Sequence, residues 1–285
     1  MTAQAGLRYV YAVCRPFRAA LQAQLTGVAG APPGLLRHHG LVAVVSTVPE
    51  GDFAEEPLRG HLEDLDWLAA TARAHQGVID ALTTVTTPLP LRLATVFRDD
   101  SGVRVMMEAR EADFRRTLDR LEGRVEWGVK LYADPPEQEA PPAGKSTSGR
   151  DYLRQRRTRT HEYEEKWRAA AEFARALHER LSRRAEDSRL HPPQSAALSG
   201  VPGQNILNAA YLVARADSEE FVELVDRTKD EVTGMRVELT GPWAAYSFSE
   251  PTESSEPTES SEPTESSESA ESSEPAEPAQ SRESP

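Results

Sequence analysis

The chain has 285 residues and a formal net charge of −13; the eleven Glu and one Arg of residues 250–285 contribute −10 of it, which leaves −3 for residues 1–249. This near-neutral body has no concentrated basic face of the kind that binds nucleic acid. Its single cysteine excludes an internal disulfide and a multi-thiolate metal site. Its apolar stretches are too short for a membrane-spanning helix. We therefore expect a cytoplasmic protein with no nucleic-acid or lipid-membrane partner and with a body long enough for two domains.

The first 98 residues predict an N-terminal α+β domain. Residues 8–13 and 41–48 are rich in β-branched and aromatic side chains and are predicted to be strands. Between residues 61 and 82 apolar side chains recur at helical spacing, which predicts an amphipathic helix. Residues 88–97 are expected to be extended and to lie at a sheet edge or just outside it, because their two prolines cannot donate to a central ladder.

Residues 99–249 show a strand–helix–strand pattern twice. Apolar alternation over residues 103–109 and again over 125–131 predicts two strands that flank a helix. A strand at 209–214, a helix after residue 217 that stops at Gly234, and a strand at 235–239 repeat the pattern. Two split βαβ units in series are typical of a ferredoxin-like domain. The predicted fold class is therefore α+β with two domains, 1–98 and 99–249.

Two segments separate these units. Residues 134–148 are rich in proline and small polar residues and predict a linker. The linker contains GKST, but a phosphate-binding loop also needs a second glycine five residues before the GK glycine and a strand ahead of it, and both are missing here. Residues 149–190 are charged and rich in alanine and predict a long inserted helix. Its seam has the 4-3-4-3-4 spacing of a coiled coil: Tyr163, Trp167, Ala170, Ala174, Leu177 and Leu181. The seam either closes the core of its own domain or binds a partner helix.

The acidic tail, residues 250–285, repeats EPTESS three times and is predicted to be disordered. It holds too little apolar surface to offset the entropy lost on ordering, and its regularly spaced glutamates repel one another. It either keeps the protein soluble or binds a specific partner.

No pattern in the chain requires an enzyme. The seven histidines show no short metal-ligand spacing, no G-x-S-x-G is present, and Cys14 lies within a predicted strand. We therefore expect no catalytic residue, no cofactor and no metal. A run of arginines at 154, 156, 157 and 159 could hold a phosphate, but with the glutamates that follow it is more typical of a salt-bridged helix surface.

Several segments, taken together and in this order, resemble the gas vesicle protein GvpF/GvpL family. They are YVYAV at 9–13, LPLRLATVF at 89–97, WGVK at 127–130, SGRDYL at 148–153, NAAYLV at 208–213 and LTGPWAAYSF at 239–248. The residues expected to shape these motifs are Pro90, Leu91, Arg92, Phe97, Gly149, Tyr152, Leu153, Asn208 and Tyr211. The chain departs from the family pattern at Leu93-Ala94, where Phe-Gly is expected, and at Ala244-Ala245, where two prolines are expected. The backbone at both points is expected to differ, because alanine disfavours positive φ and does not pre-set a turn.

The resemblance implies a minor, non-enzymatic gas vesicle component that acts in assembly. Members of the family bind the small hydrophobic shell protein and other accessory gas vesicle proteins, so these are the expected partners, at the gas vesicle in the cytoplasm. We hypothesise that the helix seam and the sheet edge near residues 241–248 bind the shell protein, the edge through Gly241, Pro242, Trp243, Tyr246 and Phe248. The same aromatic cluster could instead seal a domain edge, and Arg92 could join the two domains through a salt bridge.

A second function also fits the pattern. A ferredoxin-like scaffold can carry a ligand- or nucleotide-binding regulatory module, which fold alone does not exclude.

Overall fold

The computed structural model describes residues 6–18, 25–134, 149–194, 203–229, 231 and 234–249, and within these ranges five strands form a first sheet, sheet A. They are β1 (Gly6–Cys14), β2 (Gly34–His38), β3 (Leu41–Pro49), β4 (Leu89–Pro90) and β5 (Val96–Phe97). The central strand β1 pairs antiparallel with β3 on one side and with β4 and β5 on the other. The strands predicted at 8–13 and 41–48 are confirmed, and residues 88–97 do lie at an edge of the sheet.

The first group of helices packs on one face of sheet A. It consists of α1 (Glu50–Phe53), α2 (Glu55–His61) and α3 (Leu65–Thr83). The Asp64 side chain caps α3 by accepting hydrogen bonds from the backbone N–H groups of Asp66 and Trp67. The predicted helix at 61–82 is therefore confirmed from residue 65 onward, and its buried residues cluster with the tyrosines of β1.

The second group, α4 (Asp100–Ala109) and α5 (Glu111–Leu121), packs on the other face of sheet A. The strand predicted at 103–109 is wrong, because this segment is α4. Val103 and Met107, one helical turn apart, are buried, whereas Val105 between them is 63% exposed. Asp99 also caps the helix by accepting a hydrogen bond from the N–H of Gly102 at 2.9 Å.

The second sheet in the described ranges, sheet B, has four antiparallel strands in the order β7-β8-β6-β9. They are β6 (Arg124–Ala133), β7 (Asp187–Leu190), β8 (Gln204–Ala214) and β9 (Met235–Trp243), with α6 (Gly149–Ser182) between β6 and β7 and α7 (Ser218–Thr228) between β8 and β9. The chain order is thus β-α-β-β-α-β. The strands predicted at 125–131, 209–214 and 235–239 and the helix after 217 are confirmed.

The first βαβ unit of sheet B differs from the predicted one. It starts at β6 and not at residue 103, and the long helix α6 is its crossover and not an insertion. The helix predicted over 149–190 ends at Ser182, and its predicted last residues, 187–190, form the strand β7. Linker residues 135–148 and the tail 250–285 lie outside the described residues. Of the helices in the described ranges, none is long and apolar enough to cross a membrane.

The two faces of β8 show how the sheets are joined. Tyr211 and Val213 point toward α6 and α7, in a cluster with Leu177 and Phe221. The alternate residues of β8 join a second cluster that also includes residues of sheet A, α4, α5 and the C-terminal segment. The described residues between 6 and 249 belong to one compact unit. The division into domains at residue 98 stays a prediction, although α4 and α5 pack on sheet A.

Candidate functional site

A groove of about 450 Å³ opens where segments of both sheets meet the C-terminal end of the described chain. We call it the motif groove, because two of its three walls come from segments that carry the family resemblance. The walls are Pro90, Leu91 and Arg92 after β4; Arg189, Leu190 and His191 at the end of β7; and Tyr246, Ser247 and Ser249. The structure therefore brings together four residues singled out from the sequence: Pro90, Leu91, Arg92 and Tyr246.

The first wall is fixed by backbone hydrogen bonds. The N–H of Leu91 donates to the carbonyl of Tyr11 in β1 at 2.8 Å. The N–H and the hydroxyl of Thr95 donate to the carbonyl of Arg92 at 3.2 and 2.7 Å, which closes a tight turn. The turn holds residues 90–92 at the edge of sheet A, and Arg92 contributes its side chain to the groove.

The third wall is fastened to sheet B by a buried carboxylate. Glu126 on β6 is 8% exposed, and it accepts hydrogen bonds from the N–H of Ser247 at 2.8 Å and from its hydroxyl at 2.7 Å. Arg120 of α5 donates to the carbonyl of Phe248 at 2.5 Å, and the Phe248 ring is fully buried. The segment 246–249 is therefore held on the body from two sides.

These hydrogen bonds also determine whether the nearby His191 donates a proton to Ser247 or accepts one from it. Nε2 of His191 lies 3.0 Å from the hydroxyl of Ser247, whose proton is already donated to Glu126, so His191 is the donor. A nucleophilic serine must instead donate to its histidine. The chain of His191, Ser247 and Glu126 therefore fixes the groove wall and does not form a catalytic triad.

The electrostatics of the groove combine cationic and buried acidic groups. Burial raises the pKa of Glu126, and hydrogen bonds from Ser247 and the charge of Arg189 oppose this shift. Burial and then the charge of Arg189 lower the pKa of His191, which favours its neutral form. With the guanidinium groups of Arg92 and Arg189 beside the apolar Leu91 and Leu190, the groove suits a segment that carries both carboxylates and apolar side chains.

The structure divides the predicted seam of α6 into two parts. Ala170, Ala174, Leu177 and Leu181 are at most 7% exposed and belong to the core of sheet B. Trp167 is half-buried, and Tyr163 is 48% exposed with its ring 6.0 Å from the Trp167 ring. The C-terminal part of the seam thus closes the core of its own domain. A partner cannot reach it, which corrects the hypothesis that these four residues contact the shell protein.

The N-terminal part of α6 projects from the body. Every side chain described between residues 150 and 166 is exposed, over about 25 Å of helix. This projecting helix carries the arginines of the predicted charge run and two exposed apolar side chains, Leu153 and Tyr163. Gly149 and Tyr152 lie in its first turn, but their side chains are outside the described residues.

The aromatic segment 241–248, which covers the end of β9 and the residues after it, also has an exposed part and a buried part. Trp243 is 40% exposed at the end of the edge strand β9, and Pro242 beside it is exposed. Phe248 is buried and Tyr246 is half-buried. Gly241 has a φ of 124°, and a Cβ added there would lie 2.8 Å from the carbonyl of Glu126, so the approach of the two strands requires glycine. Phe248 therefore seals the core, whereas Trp243 is available to a partner.

Three of the other motif residues support the fold. Asn208 donates from Nδ2 to the carbonyl of Pro192 at 2.9 Å, which holds the chain just after His191. The hydroxyl of Tyr211 pairs with Nδ1 of His178 at 2.9 Å and ties β8 to α6. Phe97 packs beside Gly102 at the start of α4.

Sequence reasoning missed Glu126, His191 and Ser247. A signal was present for Glu126, because a glutamate inside a strand of alternating apolar residues must find partners when it is buried. His191 and Ser247 gave no signal, since they are 56 residues apart in sequence and only the fold brings them together.

Comparison with known proteins places these features in context. Residues 7–250 match the family described as gas vesicle synthesis protein GvpL/GvpF. Gas vesicle protein L of Streptomyces sp. (strain CB03234) is 58% identical over 248 residues, which cover 85% of this chain and 92% of that protein. Gas vesicle protein F of the same strain is 26% identical over 257 residues, 85% of this chain and 99% of that protein.

Two crystal structures have a similar fold. The gas vesicle protein GvpF from Anabaena sp. PCC7120 matches with a TM-score of 0.64 at 17% identity, over 87% of this chain and 97% of that one. GvpF from Microcystis aeruginosa matches with a TM-score of 0.63 at 18% identity, over 87% of this chain and all of that one.

Proposed function

The chain belongs to the gas vesicle GvpL/GvpF family, and from this premise we propose that it is a non-enzymatic accessory protein of gas vesicle assembly. In this proposal it acts in the cytoplasm, at the growing vesicle, and binds the small hydrophobic shell protein together with other gas vesicle proteins. A subunit destined for a water-excluding wall exposes apolar surface before assembly, and such surface aggregates unless it is covered. We interpret sheet B as a ferredoxin-like scaffold for this task, an interpretation supported by its β-α-β-β-α-β order.

The observation that carries the proposal is the motif groove. Segments that start at residues 89 and 239 converge with the end of β7 at this surface groove. The groove presents Leu190, 63% exposed, beside two guanidinium groups. We propose that one segment of the shell protein lies here, with its apolar side chains on Leu91 and Leu190 and a carboxylate near Arg92 or Arg189.

Two further surfaces support this proposal. The projecting helix offers Leu153 and Tyr163 to a helix of the partner, and the edge strand β9 offers Trp243. Helix-in-groove packing and strand addition are the two ordinary ways in which such surfaces bind peptides.

The test is capture of purified shell protein by the full chain, compared among matched surface variants. Leu190→Asp should reduce capture at least tenfold, because it places a carboxylate where the shell segment is proposed to lie. Leu65→Asp is the control, since Leu65 is 78% exposed on α3 and does not line the groove. Both variants should keep the circular dichroism spectrum of the unmodified chain.

Two results would overturn different parts of the proposal. If Leu190→Asp captures shell protein as well as Leu65→Asp does, the groove is not the binding surface. If the unmodified chain neither captures shell protein nor floats with the vesicle fraction of cells, the assembly function itself is wrong.

The regulatory module remains the second candidate, because the cationic groups of the motif groove could also hold a phosphate. A thermal-shift screen with nucleotides separates the two functions. A ligand at 100 times its dissociation constant adds about 2.7 kcal/mol to the free energy of unfolding, so a nucleotide that binds there raises the melting temperature, and the assembly function predicts no such rise.

A further inference from the structure

Two adjacent histidines and two glutamates meet on the surface of sheet A, and none of the four lines the motif groove. His38 ends β2, and His39 lies in the turn to β3. Glu108 lies in the last turn of α4 and Glu111 begins α5. The fold thus brings a hairpin turn against the junction of two helices.

The ligand atoms of this cluster lie close together. Nε2 of His38 is 2.6 Å from Oε1 of Glu108. One ring nitrogen of His38, one of His39 and one carboxylate oxygen of Glu108 all lie within 4.8 Å of one another. We propose that His38, His39 and Glu108 bind one Zn²⁺ ion, with water as the fourth ligand.

The distances fit zinc after side-chain rotation alone. Tetrahedral zinc with bonds of about 2.0–2.2 Å places its ligand atoms about 3.4 Å apart. The two imidazole rings are stacked, with centroids 4.2 Å apart and planes 14° apart, so they must turn to aim at one point. His39 and Glu108 have room to turn because their side chains are 55% and 50% exposed, whereas His38 is 18% exposed and its Nε2 already faces Oε1 of Glu108.

The backbone of the turn needs no such adjustment. Residues 39 and 40 form a two-residue hairpin loop, and both have positive φ, 47° at His39 and 69° at Gly40. These angles are typical of the type I′ turn that matches the twist of two paired strands. The turn therefore holds the two imidazole rings side by side before any ion arrives.

A carboxylate behind His39 completes the arrangement. Nδ1 of His39 lies 3.1 Å from Oε2 of Glu111, and Oε1 of Glu111 accepts a hydrogen bond from Nε of Arg115 at 2.9 Å. With Nδ1–H donated to Glu111, the Nε2 lone pair of His39 is available for an ion. Metal-binding histidines almost always have such a carboxylate or carbonyl partner on the second nitrogen. Glu111 is thus a positioning residue, and Arg115 fixes its orientation.

The test is titration of the full chain, without a polyhistidine tag, with ZnCl₂ in a calorimeter. We expect one equivalent of zinc per chain. His38→Gln and Glu108→Gln should each weaken binding at least tenfold, and Glu111→Gln should weaken it about tenfold through the loss of His39 orientation. The matched control is His161→Gln on α6, where Nε2 of His161 lies 3.3 Å from Oε1 of Glu165 in a simple pair of exposed side chains.

Bound Co²⁺ gives a second readout, because its visible absorption reports the number and geometry of its ligands. Tetrahedral absorption that disappears in His38→Gln and persists in His161→Gln would support the site. The proposal is overturned by zinc binding that His38→Gln and Glu108→Gln leave unchanged, by equal loss in the control variant, or by no binding at millimolar ZnCl₂. Circular dichroism of each variant separates loss of ligands from loss of fold.

Discussion

The hydroxyl of Tyr9 accepts a hydrogen bond from the backbone N–H of Ala94 at 3.1 Å, and Ala94 has a φ of 62°. This is the left-handed region, which glycine adopts freely and alanine disfavours. The family pattern expects glycine at this position. The turn beside the motif groove thus has a left-handed backbone even though alanine occupies it. The expectation that alanine excludes a positive φ at this position is therefore wrong.

Ala94→Gly should therefore stabilise the protein. Removal of the Cβ relieves the left-handed strain, and after the extra entropy of glycine in the unfolded chain the net gain is about 1 kcal/mol. In a chain of this size that raises the melting temperature by about 2–4 °C. Ala54→Gly is the control, because Ala54 has an ordinary φ of −67° and should lose stability or stay unchanged. A lower melting temperature for Ala94→Gly would contradict the argument.

The second partner of Tyr9 is His75, and this histidine should make the stability of the protein depend on pH. The hydroxyl of Tyr9 lies 2.9 Å from Nδ1 of His75, which is 3% exposed, and burial lowers the pKa of His75 to about 4. The unfolded chain therefore binds a proton at pH values where the folded chain does not. Stability should fall as the pH drops from 6.5 toward 4, with a loss of about 2 kcal/mol from this group by pH 5.

Urea denaturation at a series of pH values measures this effect. In His75→Gln the fall from neutral pH to pH 5 should be smaller by about that amount. His161→Gln, which changes an exposed histidine on α6, should retain the full fall. An equal pH dependence in all three chains would mean that other groups cause it.

The two parts of the α6 seam should respond differently to the same substitution. Leu177→Asp buries a charge in the core of sheet B and should cost about 3–5 kcal/mol of stability. Tyr163→Asp changes a half-exposed side chain on the projecting helix and should change stability by less than about 1 kcal/mol. Thermal unfolding followed by circular dichroism distinguishes the two. Similar losses in both variants would place Tyr163 in a packed contact.

Most strands could be predicted from the sequence, whereas the helices that connect them and pack on them were predicted less well. The strands β3 and β6 could be predicted because β-branched and apolar residues fill β3 and alternate with polar residues and glycine along most of β6. The segment at residue 103 does not, since Val103 and Met107 satisfy both an alternating and a helical pattern, and only burial decides between them. The seam of α6 has one period throughout, but the place where sheet B ends determines which part of it is covered.

The sites depend even more on pairings distant in sequence. The motif groove needs segments that lie about 100 and 150 residues apart, and no local pattern reports that they meet. The histidine pair shows the same limit. Spacing along the chain predicted no metal, because the carboxylate nearest to His38 is that of Glu108, 70 residues away. A sequence pattern could reveal only the turn that holds the two histidines.

One strand pairing in sheet B gives a prediction that can be tested by a double-mutant cycle. Gly128, within the family-like WGVK segment, pairs with Thr240 of β9, and a Cβ added to Gly128 would lie 2.6 Å from Oγ1 of Thr240. Gly128→Ala should therefore cost about 1–3 kcal/mol through overpacking. The Cβ of Thr240 is 4.0 Å from the added atom, an ordinary contact, so the clash is with the hydroxyl alone.

Thr240→Ala should therefore suppress most of this cost. Alone, it removes a long hydrogen bond of 3.4 Å from Oγ1 to the carbonyl of Gly128 and should change stability by less than about 1 kcal/mol. In the double variant the alanine at 128 then meets no atom closer than van der Waals contact. Urea denaturation of the four chains gives the coupling energy, expected at about 1–2 kcal/mol in favour of the double variant. Additive losses would show that Gly128 is required for its backbone and not for the space that Thr240 occupies.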